Sequence, residues 1–327
     1  MMKYILLAAT IFWAALAPAG AVGFQTVLVP DPGNAPIFVG IWYPSDAPAT
    51  PARIALDTVP VAHDGAISGR NLKLIMMSHG QGGGFANQVD TAFALAKAGF
   101  VAAALTHTGD NLKDGSRVLK IWDRTRQLHL VTDWLLTTWP AHAQLDPSHI
   151  GAFGFSAGGF TVLVAAGGAP DLALIDPHCA TYPAEFTCNL IAHAKPPGAA
   201  LPKAPDGAWV HDPRIVAAVV AAPALGFTFG KPGLAGVRVP IQLWRAGQDT
   251  TLPQPFYAQA VDDDLPVRPD YHVVPGAQHL DFLSPCDAFK AHVAPAICTS
   301  LPGFDRAAFH TGFNAAVVEF FQKTLKK

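Results

Sequence analysis

Charge is scarce in this chain. Only 14% of its 327 residues are Asp, Glu, Lys or Arg, the formal net charge is -2, and the basic residues form no run. That excludes a nucleic-acid partner as the expectation, because binding a phosphate backbone needs a basic face. Lys323, Lys326 and Lys327 read instead as a solvated helix end. Long apolar runs are also missing after the N-terminus. Stretches such as Ile215 to Ala222 are short and bounded by proline, as buried strands are. No internal repeat is present, which excludes a solenoid or propeller. Cysteine is limited to four residues without a close C-x-x-C pair, which argues against a zinc cluster.

What is present begins with Lys3, an apolar run from Tyr4 to Leu16, and the small-residue site Ala19-Gly20-Ala21. This reads as a signal peptide over residues 1–21, with a mature chain from near Val22. The run is shorter than the ~20 residues a spanning helix needs, and Pro18 and Gly20 follow it. The expectation is an exported protein, periplasmic or secreted, with no membrane span once the signal is removed. In an oxidising compartment the four cysteines pair, and four allow three connectivities. Cys179-Cys188 with Cys286-Cys298 is favoured, since each pair closes a local loop in a Pro-rich irregular region.

The 29 glycines and 29 prolines are spread as loop punctuation, so residues 22–327 read as one domain. Strands at Thr26–Val29 and Ile37–Tyr43 flank the turn Asp31-Pro32-Gly33-Asn34 and suggest an antiparallel hairpin. A strand at Leu72–Met77 runs into Ser78-His79-Gly80-Gln81-Gly82-Gly83-Gly84. Helices near Asn87–Ala98, Ser116–Thr138 and Ala157–Ala166 then alternate with strands at Phe100–Thr106, Ile150–Phe155 and Ile215–Ala221. The last strands, Val239–Trp244 and Tyr271–Val274, enclose a helix at Pro253–Val261, and a helix at Phe304–Leu325 closes the chain. This βαβ rhythm predicts an α/β fold: a mostly parallel sheet, helices on both faces, and sites at the strands' C-terminal edge. Residues 171–214 break the rhythm and are read as a cap insertion, with a surface excursion remote from substrate as the alternative.

The chemistry centres on Gly154-Phe155-Ser156-Ala157-Gly158, a G-x-S-x-G sequence between an apolar strand and a helix-compatible run. Small flanking residues let the backbone turn sharply and hold the hydroxyl clear of the sheet. A serine nucleophile needs a histidine base and an orienting carboxylate, here expected in the chain order Ser, acid, His. Asp249 follows the strand Val239–Trp244 and His279 follows Tyr271–Val274, so both would emerge at the catalytic edge. Asp249 also suits a helix N-cap. Asp176, Asp212 and Asp281 are competing acids. Backbone N–H groups of Gln81 and Ala157 are the expected oxyanion donors. His107 and Asp110 follow the fourth strand at the same edge, where they either line the pocket or cap a loop.

With Ser156, Asp249, His279 and the Ser78–Gly82 loop in hand, the chain resembles the α/β-hydrolase superfamily over nearly all its mature length. More narrowly, Val39-Gly40-Ile41-Trp42-Tyr43-Pro44, the S-H-G loop and Gly154–Phe160 resemble the dienelactone-hydrolase and platelet-activating-factor-acetylhydrolase-like group. Two departures limit what that implies. Dienelactone hydrolases carry a cysteine nucleophile where this chain has Ser156. In the acetylhydrolases the acid follows the strand after the nucleophile helix, whereas here that strand ends in Ala221-Ala222-Pro223-Ala224. The expectation is therefore a cofactor-independent serine esterase acting on a small-molecule or lipid-like ester, with a peptidase or amidase, or an inactive secreted binding protein, as alternatives.

Overall fold

The computed structural model describes residues 20–326, so the expected signal peptide falls outside them apart from Gly20 and Ala21. The chain opens with the antiparallel pair β1 (Ala21–Val29) and β2 (Ile37–Ser45), the hairpin read from the sequence. A second hairpin follows, β3 (Thr50–Ile54) with β4 (Asp57–His63), which the sequence reading lacked. Pro51 sits opposite Pro60 in it, and prolines weigh against a strand except at sheet edges. β3 is indeed the terminal strand of the sheet.

The alternating part runs β5 (Leu72–Ser78), α1 (Val89–Lys97), β6 (Val101–Thr106), α2 (Asp123–Thr137), β7 (Leu145–Phe155) and α3 (Ala157–Ala165). Two short helices, α4 (Ile175–Thr181) and α5 (Phe186–Ala194), occupy the break in the rhythm before β8 (Ile215–Ala221). There follow α6 (Gly230–Leu234), β9 (Ile241–Ala246), α7 (Ala258–Asp264), β10 (Asp270–Val274), α8 (Ala288–Val293), α9 (Pro295–Cys298) and α10 (Arg306–Thr324). The ten strands form one sheet in the order β10-β9-β8-β7-β5-β6-β2-β1-β4-β3. Its half from β10 to β6 is parallel throughout.

Side chains alternate across a strand, and β5 divides them accordingly. Leu74 and Met76 join Leu128, Val131 and Phe160 of α2 and α3 on one face; Ile75 and Met77 join Val89, Leu95, Phe313 and Phe321 of α1 and α10 on the other. Each such side chain, once buried, stabilises the fold by about 1.5–3 kcal/mol, which is why these strands are apolar on both faces.

Two helices start later than the sequence suggested. Residues 116–122 were expected to be helical, but Asp114 accepts the Ser116 N–H and Arg117 N–H donates to Gly109 O, holding the segment in turns until Asp123. Likewise Pro253–Tyr257 precede α7 rather than beginning it. The disulfides Cys179–Cys188 and Cys286–Cys298 are both formed, so no thiolate among these four is available to a metal. Among the described residues no helix is long and apolar enough to cross a membrane.

Asp146 anchors the start of β7, the strand that leads to Ser156. Burial opposes its charge, but hydrogen bonds from Lys73, the Ser148 N–H and His149, with the Lys73 charge, hold its carboxyl down at about 2. A folded pKa below the unfolded value of ~3.9 means that the carboxylate stabilises the fold above that value. The contribution disappears as pH falls from about 4 to about 2. Asp146→Asn should therefore be less stable than wild type in urea at pH 7, the difference shrinking through that window. A difference independent of pH would contradict the assignment.

Candidate active site

Ser156 sits at the junction of β7 and α3 with φ 56° and ψ -118°, a backbone conformation that L-residues rarely hold. Its surroundings fix it there. Ser156 N–H donates to Ala221 O, while its own carbonyl accepts from Phe160 N–H and Ala224 N–H. The flanking glycines are required by contact: a Cβ on Gly154 would lie 2.1 Å from Gly158 O, and one on Gly158 would lie 1.9 Å from Ser78 O. The G-x-S-x-G pattern is thus a packing condition for the turn, and the strained serine is presented at its apex.

His279 Nδ1 lies 2.8 Å from Asp249 Oδ2, and His279 Nε2 lies 2.9 Å from Ser156 Oγ. A carboxylate only accepts, so Nδ1 carries the proton and donates to Asp249, leaving Nε2 to accept the serine hydroxyl. The Asp249 and His279 side chains are 2% and 5% exposed, which shields both bonds from competing water. Asp249 does not cap a helix, as the sequence had also allowed, since α7 begins only at Ala258; its Oδ1 instead closes a turn by accepting the N–H groups of Thr251 and Leu252. One carboxylate thereby fixes its own loop and orients the histidine. The competing acids are engaged elsewhere or exposed. Asp281 pairs with Arg306 and accepts the Gln278 N–H, Asp212 pairs with Arg214 and His129, and Asp176 lies exposed in α4.

Gln81 and Ala157 line the same cleft as Ser156. Neither backbone N–H has a hydrogen-bond partner among the described residues; that of Ala157 is one of the free donors a helix N-terminus leaves. The loop carrying Gln81 is held by a buried network that the sequence reading did not find. Arg124 Nε donates to Asp110 Oδ2 at 2.7 Å, Arg124 Nη1 to His79 O at 2.7 Å, and Nη2 to Gly80 O at 3.2 Å. Asp110 Oδ1 accepts the Gly82 N–H at 3.1 Å, so it both lines the cleft and pins the loop. His107 donates from Nδ1 to Gln127 Oε1 and accepts from Ser78 Oγ at Nε2. Burial, then the Arg124 charge, pushes His79 down to about 3 and His107 well below the ordinary imidazole value. Both rings are therefore neutral donors and acceptors in a fixed tautomer. The signal for Arg124 was its place in line with Leu128, Val131 and Leu135 on the buried face of α2.

The cleft is otherwise apolar. Loop residues Val118, Leu119 and Ile121 face Leu172, Ile175, Phe186 and Leu190 of the 171–214 segment, which therefore forms a wall of the site. That segment is fastened to the body of the fold by Tyr257, whose hydroxyl donates to Glu185 at 2.6 Å, while Glu185 accepts from His178 at 2.9 Å. Burial, and the Glu185 carboxylate beside it, push the Tyr257 phenol far above its usual value, so it remains a donor. A serine at a strand-turn-helix apex, a tethered histidine and two amides without partners among the described residues form a set that can attack a carbonyl, move its proton and hold the resulting oxyanion.

The strand order and the strand-turn-helix serine define the α/β-hydrolase fold, which this chain has. A ferulic acid esterase from Streptomyces cinnamoneus is similar in structure, with a TM-score of 0.64 at 19% identity over 95% of this chain and 92% of that one. A dienelactone hydrolase from Anabaena variabilis ATCC 29413 matches with a TM-score of 0.51 at 16% identity, over 94% of this chain and all of its own. No protein-family model matches the chain, and no curated protein matches its sequence.

Proposed function

We propose that the protein is an exported carboxylic-ester hydrolase working through an acyl-enzyme. Ser156 Oγ attacks the ester carbonyl as His279 Nε2 takes its proton, and Asp249 holds the imidazolium that forms. The oxyanion is received by the N–H groups of Ala157 and Gln81. The C–O bond then breaks and the alcohol leaves with the proton from His279. Water, deprotonated by the same histidine, attacks the acyl carbon and releases the acid and Ser156. The observation that carries this reading is the unbroken Ser156-His279-Asp249 hydrogen-bond chain, beside two amides that have no partner among the described residues. Export rests on the N-terminal signal pattern and agrees with two disulfides in a 327-residue chain.

Ester rather than amide substrates are favoured by the cleft's lining. Apart from Gln81, Asp110, Ser156 and Thr187 it is apolar, with no basic side chain, and Asp110 has both oxygens engaged. The test compares p-nitrophenyl esters with p-nitroanilides of the same acyl groups. The esters should turn over with a chain-length profile while the anilides lag far behind. Equal kcat/KM on both would favour an amidase, and no turnover of either would favour a binding protein.

A further inference from the structure

A second cavity, of about 670 Å³, is lined by the residues that follow Gln81, whereas the cleft beside Ser156 encloses only about 70 Å³. Its walls include the β3–β4 hairpin tip at Ala55–Asp57, the Gly82–Asn87 stretch, the Asn111–Lys113 loop, and Leu283, four residues beyond His279. These walls are tied together. Lys290, 3% exposed, donates to both Asp57 carboxylate oxygens at 3.1 Å and to Ser284 Oγ at 2.6 Å. Ser284 in turn donates from Oγ to Asp57 and from its N–H to Asn87 O. The groove is thus a built feature whose buried lysine is neutralised internally. Phe38, Leu56, Phe85, Leu112, Leu283 and Ile297 make most of the remaining lining apolar, beside Asn87, Thr106, Asn111 and the exposed Lys113.

Resting on the esterase reading, we propose that this groove binds the alcohol part of the ester, and that the alcohol is bulky and apolar or aromatic. At the tetrahedral carbon the acyl and alkoxy groups diverge. The leaving oxygen must approach His279 Nε2 to receive its proton, so the alcohol departs on the histidine's side. The groove's wall includes Leu283, four residues beyond His279, and Gly82, next to the oxyanion residue Gln81. The narrow cleft holding Ser156, Ala157 and Gln81 takes the acyl group. Lys290 is committed to Asp57 and the other lining lysine, Lys113, is solvent-exposed, so neither presents a buried cation to an anionic leaving group.

The test uses two ester series on the full mature protein: one acyl group with methyl, benzyl and naphthylmethyl alcohols, and methyl esters of lengthening acids. Each kcat/KM is divided by the hydroxide-catalysed rate of the same ester. Normalised kcat/KM should rise at least ~10-fold from methyl to naphthylmethyl. Ala86→Trp, which fills the groove, and Leu112→Asp, at a position 88% exposed where folding is insensitive, should each erase most of that rise. Both should leave the methyl esters within about 2-fold of wild type. No rise with alcohol size, or equal losses on methyl and naphthylmethyl esters in Leu112→Asp, would overturn the groove assignment while leaving the esterase reading intact. Absence of turnover on every ester would overturn both.

Discussion

Ser156→Ala is expected to lower kcat on any ester substrate by about 10⁵ to 10⁶-fold, with the protein still folded. The β7–α3 turn is held through the Ser156 backbone, and among the described residues the hydroxyl bonds only His279. Residual turnover would reflect the cleft and the two amides alone, worth ~10³-fold over water. Asp249→Asn should lose about 10⁴-fold. An amide facing His279 Nδ1 can offer its NH₂, reversing the tautomer so that Nε2 no longer accepts the serine proton. Steady-state kinetics with circular dichroism checks both variants; wild-type turnover by either would remove that residue from the chemistry.

Arg124→Leu is expected to destabilise the protein by about 3–5 kcal/mol, because it leaves the Asp110 carboxylate buried without its cation. The His79 and Gly80 carbonyls lose their donor in the same step. Since those residues lead into Gln81, the amide expected to receive the oxyanion loses its support, and kcat should fall about 10²–10³-fold. Urea denaturation and kcat at a temperature where the variant is still folded measure the two effects separately. Arg124→Leu with wild-type stability would contradict the role given to the network, and lost stability with unchanged kcat would confine that role to folding.

The difference between these two residues marks how far the sequence was legible. Ser156, Asp249 and His279 each follow a strand of the parallel half, so a local pattern locates them at one sheet edge, and the structure brings the three within hydrogen-bond reach. The parallel half of the sheet was readable for the same reason. Arg124 acts through partners 14, 44 and 45 residues away, and no window along the chain contains them together. The β3–β4 hairpin escaped because Pro51 and Pro60 mask its alternation. The late start of α2 escaped because Asp114 and Gly109 set turns that compete with the helix. The 171–214 segment showed its break in rhythm but not its two short helices, whose seven and nine residues are too few for a clear period. The groove beyond Gln81 escaped with the hairpin, which forms one of its walls.

The most direct measurement is mass spectrometry of the protein quenched during turnover of a slowly deacylated ester. The account predicts one added acyl group, mapped to the peptide carrying Ser156 and absent from Ser156→Ala. An acyl group on another residue, or undiminished turnover in Ser156→Ala, would contradict it.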